Sequence, residues 1–298
     1  KFRGDPSLFA PALPFLEART GLPCLGILPW FPDARLLPAE DSLGLDARVS
    51  RRPDAPIRIA VPRLPRLANF DDLDPLSQEP SVALRLLALE EPLPADTDLL
   101  LLPGSKNTIG DLLALRDSGF EADIRAHHRR GGLVVGLCGG YQMLGRRIAD
   151  PGGVEGEPRE VAGLGLLEVE TVLEPGKTVR LARGVECTTG KTVTGYEIHL
   201  GRTRGPDTAR PWLRLDDGPD GAVSADGRVF GCYLHGLFAS DGFRRRFLAR
   251  FADGSASALS YERRLEDTLE ALADHVEAAL DLDRLLAIAL TRTEGRRS

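Results

Sequence analysis

Apolar residues fall along this chain in three regimes. The first, residues 1 to about 50, is proline-rich and patternless. Pro11 to Thr20 reads as a helix stopped at Gly21, Leu25 to Leu28 as a short strand stopped by Pro29, and Phe31 to Ser42 as loop. One helix and one strand cannot bury a core, so this stretch is expected to complete a domain whose larger part lies elsewhere. A proline-bearing linker, Arg51 to Pro56, leads into the second regime, where short apolar runs alternate with helical periods. Ile57 to Val61 reads as a strand and Asn69 to Pro75 as a polar loop. Ser81 to Glu90 is a short helix or strand, and Asp98 to Leu102 an interior strand closed by Pro103-Gly104. Thr108 to Asp117 and Phe120 to Arg130 follow as helices, and Leu133 to Val135 as another interior strand. Apolar runs without polar alternation suit strands covered on both faces.

The third regime predicts β-strands over Gly163–Leu173, Thr192–Leu200, Trp212–Leu215 and Arg228–Leu234, with glycine-rich turns that suggest antiparallel pairing. A helix is expected over Phe243–Phe251. Leu265, Leu269, Leu272 and Val276 then form an amphipathic stripe, with a shorter helix from about Asp283 to Thr291. The expected fold is α/β: a flavodoxin-like, mainly parallel sheet with helices on both faces, an antiparallel β portion and a C-terminal helical tail. The expected divisions are residues 1–50, 56–252 and 253–298.

Composition narrows the function classes. The 298 residues carry a net charge of −6, which argues against a nucleic-acid surface. The four cysteines are Cys24, Cys138, Cys187 and Cys232, with no CxxC pair, so neither a zinc site nor a disulfide framework is expected. No apolar run reaches membrane-spanning length, and no signal peptide opens the chain. A reducing, cytoplasmic location is therefore expected. The chain opens on Lys1 and reads as cut from a longer sequence.

Chemistry concentrates at Gly131 to Leu144. A buried strand runs into a glycine-bracketed turn carrying Cys138, then into a helix. Gly136, Gly139 and Gly140 are expected to take strained torsions and allow close backbone approach. The helix would aim its free N–H groups at the sulfur, favouring the reactive thiolate. The pattern is a nucleophile elbow with cysteine in place of serine. Of the five histidines, His127 and His128 read as a solvated helix face and His275 as structural. His199 and His235 each end a predicted strand, where α/β sheets bind ligands, and either can partner Cys138. Gly139 is expected to supply one oxyanion N–H, and the Pro103–Asn107 turn a second, from Gly104 or Ser105.

Gly136-Leu-Cys-Gly-Gly-Tyr-Gln-Met-Leu144 resembles the nucleophile motif of class I, triad-type glutamine amidotransferases. Five further stretches resemble the cobyric acid synthase (CobQ) branch: Ala39–Leu43, Pro62–Leu76, Leu102–Thr108, Gly195–Thr203 and Gly231–Gly236. The resemblance implies a glutaminase part. Cys138 would attack glutamine and His235 would act as acid and base, with Gly104, Ser105, Gly139, Gln142, Tyr196, Glu197 and His199 around the substrate. Residues 1–50 would be the tail of an N-terminal synthetase domain. The family amidates the b, d, e and g carboxylates of adenosylcobyrinic acid a,c-diamide. ATP and magnesium are expected for the full-length enzyme, and no cofactor or metal for this part, which lacks a phosphate-binding G-x-x-x-x-G-K-[ST]. The partners implied are glutamine and, through the missing domain, the corrin, with neither nucleic acid nor membrane. Two other readings remain: the related a,c-diamide synthase, and a cysteine hydrolase or non-catalytic module on the same fold. One departure stands out. Triad amidotransferases carry His-x-Glu, whereas here His235 is followed by Gly236-Leu237. Glu197 and His199 are the candidates to orient His235 in its place.

Overall fold

A computed structural model describes residues 1–38, 52, 54–252 and 257–294. The expected motif at Ala39–Leu43 lies outside the described residues. The chain divides into two compact units, residues 39–261 and residues 1–38 with 262–298. The N-terminal stretch and the C-terminal helices thus share one unit, where the sequence suggested separate ends.

The larger unit is built on a six-stranded sheet. Its parallel strands are β1 (Ile57–Pro62), β2 (Val82–Leu87), β3 (Leu99–Leu102), β4 (Leu133–Leu137) and a later strand, Val229–Cys232. They lie in the order β2-β1-β3-β4 and then Val229–Cys232, with Ala222–Val223 antiparallel at the edge. That is the flavodoxin-like order. The four leucines of β3 have no exposed surface, as expected of a strand covered on both faces. Residues alternate between two cores: Val134 packs into one with Ile109, Leu112, Phe120 and Ile124, Val135 and Leu137 into the other with Trp212, Phe243 and Phe247.

Helices α1 (Thr108–Asp117) and α2 (Phe120–Arg129) cover the first face. His127 of α2 is buried, not solvated: its Nε2 lies 2.9 Å from the Leu133 carbonyl oxygen, and burial holds its pKa down. The short α3 (Gly139–Leu144) follows β4 directly.

A second, five-stranded antiparallel sheet contains β5 (Thr178–Glu186), β6 (Thr192–His199) and β7 (Leu234–His235), paired in that order. Sequence reading missed β5. It also overextended the strand expected over Gly163–Leu173, of which Glu170–Val172 is strand. The chain leaves Val229–Cys232 of the large sheet and enters β7 of the second within one residue, Tyr233. Buried Asp220 holds this crossing by accepting from the N–H groups of Tyr233 and Leu234. Burial, with Glu197 nearby, pushes its pKa up to about 7.

In the smaller unit, Leu13–Thr20 is helical and ends at Gly21 in a left-handed conformation, as the sequence indicates. Leu25–Leu28 forms no strand, only an isolated bridge at Gly26, with another just beyond it at Pro29. The C-terminal stripe lies in the helix Tyr261–Ala279, followed by Leu282–Glu294. Among the described residues no helix is long and apolar enough to cross a membrane.

Candidate active site

Cys138 sits where β4 ends and α3 begins, at the carboxyl edge of the parallel sheet. Its backbone has φ +52° and ψ −108°, outside the regions L-residues favour, and only Asn69 shares a positive φ among described non-glycine residues. The strain expected on the flanking glycines therefore sits on the cysteine. The glycines serve close approach. A Cβ on Gly140 would collide with the Leu102 carbonyl oxygen of β3.

His235 reaches this edge from the second sheet. Its ring is fully buried, and Nδ1 lies 2.7 Å from Asp72 Oδ2. The other Asp72 oxygen accepts from Gly236 N–H at 2.6 Å. Asp72 is thus bound through both oxygens and fixes ring and backbone together. Burial opposes charge on the ring, but Asp72 and then the Cys138 side chain outweigh it and push the His235 pKa up to about 10. Nε2 makes no hydrogen bond and is buried. With Asp72 on one nitrogen, the remaining nitrogen is the one free to exchange a proton with the thiol.

Asp72 was not foreseen. The segment read as a polar loop, Asn69–Pro75, is a 3-10 turn, Phe70–Leu73, running into the helical turn Asp74–Ser77. Leu73 and Leu76 anchor it in the core. The adjacent acids Asp71-Asp72 inside that apolar frame were the available signal. The orienting roles considered for Glu197 and His199 are not borne out. Glu197 is buried against the Arg180 guanidinium of β5. His199 stacks on Tyr233, ring centroids 3.8 Å apart, and burial lowers its pKa. Its Nδ1 has no partner.

Tyr196 lies opposite His235 across β6 and β7 and stacks on its ring at 5.3 Å. Its hydroxyl accepts from Asn69 Nδ2 at 2.8 Å and donates to Asp71 Oδ2 at 3.2 Å, which ties β6 to the Asp72 turn. The Ile198 carbonyl oxygen of β6 lies 3.6 Å from Cys138 Sγ.

The Gly104–Ser105 turn pairs antiparallel with Leu67–Ala68. Lys106 N–H donates to Arg66 O, so the next pair, Ser105 with Leu67, is a non-hydrogen-bonded pair and its N–H groups point off the ladder. Ser105 N lies 3.0 Å from where a Cβ on Gly139 would stand. Two free N–H groups, of Ser105 and Gly139, therefore flank the space beside Cys138. A Cβ on Gly104 would lie 3.2 Å from His235 Cε1, so the absent side chain makes room for the ring.

Gln142 braces the fold around the site. It is buried, its Oε1 accepts from Thr108 Oγ1, and its Nε2 donates to Leu200 O and Tyr233 Oη. Its amide holds α3 against α1 and the segment after β6, with both Nε2 hydrogens engaged and one lone pair of Oε1 left over.

The model of the CobB/CobQ-like glutamine amidotransferase domain matches residues 58–243. Cobyric acid synthase from Methylobacterium nodulans is 56% identical over 292 residues, which cover 97% of this chain and 59% of that protein. The namesake from Cereibacter sphaeroides is 52% identical over 289 residues, with the same coverage of both chains. The chain thus spans about three-fifths of the length of these relatives. Among solved structures, PurLQS from Thermotoga maritima aligns over 72% of this chain and 99% of its own, at 18% identity and a TM-score of 0.47. The family match covers every residue of the site, from Asp72 through Cys138 to His235, and this chain belongs to the CobB/CobQ-like glutamine amidotransferase domain family.

Proposed function

We propose that this chain is the glutaminase part of a cobyric acid synthase and that it releases ammonia from glutamine through a cysteine thioester. Cys138 Sγ attacks the side-chain amide carbon, and the N–H groups of Gly139 and Ser105 hold the oxyanion that forms. His235 Nε2 gives a proton to the departing ammonia, then takes one from the water that cleaves the thioester to glutamate. Asp72 keeps the Nδ1 proton on its own side and so fixes the tautomer, as the acid of a triad does. Tyr196 holds the ring flat from the far side. His199 and Glu197 line the wall beyond.

The observation that carries this reading is the Asp72–His235 pair beside a strained Cys138 with two unclaimed N–H groups facing the same space. The amidated acceptor is the corrin, with cytoplasmic cobalamin synthesis as the setting. ATP and magnesium belong to the part of the relatives that this chain does not span, and no residue here is assigned to them.

The test is glutamate release and covalent labelling by a glutamine-analogue electrophile. Cys138→Ser should lose both. Labelling that persists in Cys138→Ser sinks the nucleophile assignment. A cysteine hydrolase on the same fold would instead release no glutamate even with the synthetase portion supplied.

A further inference from the structure

The strand β5 faces the wrong way for a surface strand. Its inward residues are Thr178, Arg180, Ala182 and Gly184, while Val179, Leu181, Arg183 and Val185 point outward. Leu181 is 88% exposed and Val179 67%, so this unit leaves its aliphatic residues in water and turns an arginine inward. Isolated exposed leucines are ordinary, but these are contiguous. Register places Val179 opposite Ile198 and Leu181 opposite Tyr196 on the same face of β6. Tyr196 in turn lies opposite His235. The row therefore runs from exposed Leu181 through half-buried Tyr196 to the buried ring of His235 across three strands, and the second row ends at Ile198, whose carbonyl oxygen meets Cys138 Sγ. Exposed Arg183 and Arg214 rim it.

From this we propose that the outward face of β5 and β6, centred on Val179 and Leu181, docks the portion of the cobyric acid synthases that lies outside this match. The inference rests on the glutaminase reading. Its occupant follows from length and position. The 292 matched residues are 59% of the Methylobacterium nodulans relative, which leaves about 200 residues unmatched, a domain-sized partner. A domain that consumes ammonia gains from docking one ring away from the histidine that releases it. The partner surface is expected to be apolar at its centre and acidic at its edge, to meet Arg183 and Arg214.

The test introduces lysine at the positions aligned with Val179 and Leu181 in the full-length Methylobacterium nodulans enzyme. Val179→Lys with Leu181→Lys in the present chain serves as control. Glutamine-driven amidation of the corrin should fall at least tenfold while ammonia-driven amidation stays within twofold of the unsubstituted enzyme. Threonine at both positions should give a smaller loss of the same kind. Undiminished glutamine-driven amidation overturns the proposal, as does an equal loss of both activities with lysine and threonine alike. So does a dimer of the present chain that the lysine pair dissolves, because the face then joins two copies. If the unsubstituted enzyme releases no glutamate at all, the glutaminase reading itself fails.

Discussion

Asp72→Asn is the sharpest probe of the site, because it keeps the shape of the pair and removes its charge. In the native protein Gly236 N–H and His235 Nδ1 each address one carboxylate oxygen. The asparagine must keep its oxygen on Gly236 N–H, which cannot be an acceptor. Its NH2 then faces Nδ1, and Nδ1 must accept. The imidazole proton moves to Nε2, and the nitrogen facing the thiol becomes a donor that cannot take a proton from it. The electrostatic loss is also large. Raising the His235 pKa from 6.5 to about 10 favours the charged ring by about 5 kcal/mol, shared between Asp72 and Cys138 after burial has taken its part. Because the folded value lies above the unfolded one, this stabilisation is complete below about pH 6.5 and fades as the pH rises through about 10. In Asp72→Asn the melting temperature should lose that pH dependence. Glutamate release, measured at saturating glutamine, should drop by about 10⁴-fold, the size of the corresponding change in serine triads. Far-ultraviolet circular dichroism checks that the fold persists. A loss of less than tenfold, or an unchanged pH dependence of stability, refutes the tautomer argument.

Other consequences are quicker to state. Cys138→Gly should be more stable than Cys138→Ala by about 1 kcal/mol in urea titration, since only glycine takes φ +52° freely and the strain is worth about 1–3 kcal/mol before glycine's extra unfolded-state entropy is subtracted. Gly140→Ala should cost about 3 kcal/mol or more by the same assay, because the new methyl group meets backbone at Leu102 that cannot step aside. Gln142→Leu strands the Leu200 carbonyl and the Thr108 hydroxyl and leaves the Tyr233 hydroxyl to Thr203 alone. It should lose about 2–4 kcal/mol of stability, and KM for glutamine in any folded fraction should change little.

The parallel sheet was legible because its strands are short apolar runs that alternate with helical stretches. The cysteine elbow was legible for the same local reason: strand, glycines and helix are neighbours in sequence. What escaped depends on distance or inversion. Asp72 serves a histidine 163 residues away, and no local pattern marks such a pairing. The strand β5 hides because an outward aliphatic row interleaved with Arg180 and Gly184 imitates a loop as well as a strand. Gln142 shows the converse limit. Its motif position pointed to the substrate, and nothing in the sequence showed that it also serves as a strut.

The one-residue step from the large sheet to β7 has a temporal meaning. Cys138 lies on a strand whose outer neighbour, Val229–Cys232, is made about ninety residues later, and the histidine follows that neighbour at once. The Cys138 N–H donates to the Cys232 carbonyl oxygen, so the elbow is not closed until that late strand is in place, three residues before the imidazole. The cysteine has no imidazole beside it until the same short stretch both completes the sheet and delivers the ring onto Asp72. Reactivity is thereby made conditional on finished architecture. Alkylation of Cys138 in chains stalled before and after residue 236 should separate the two stages.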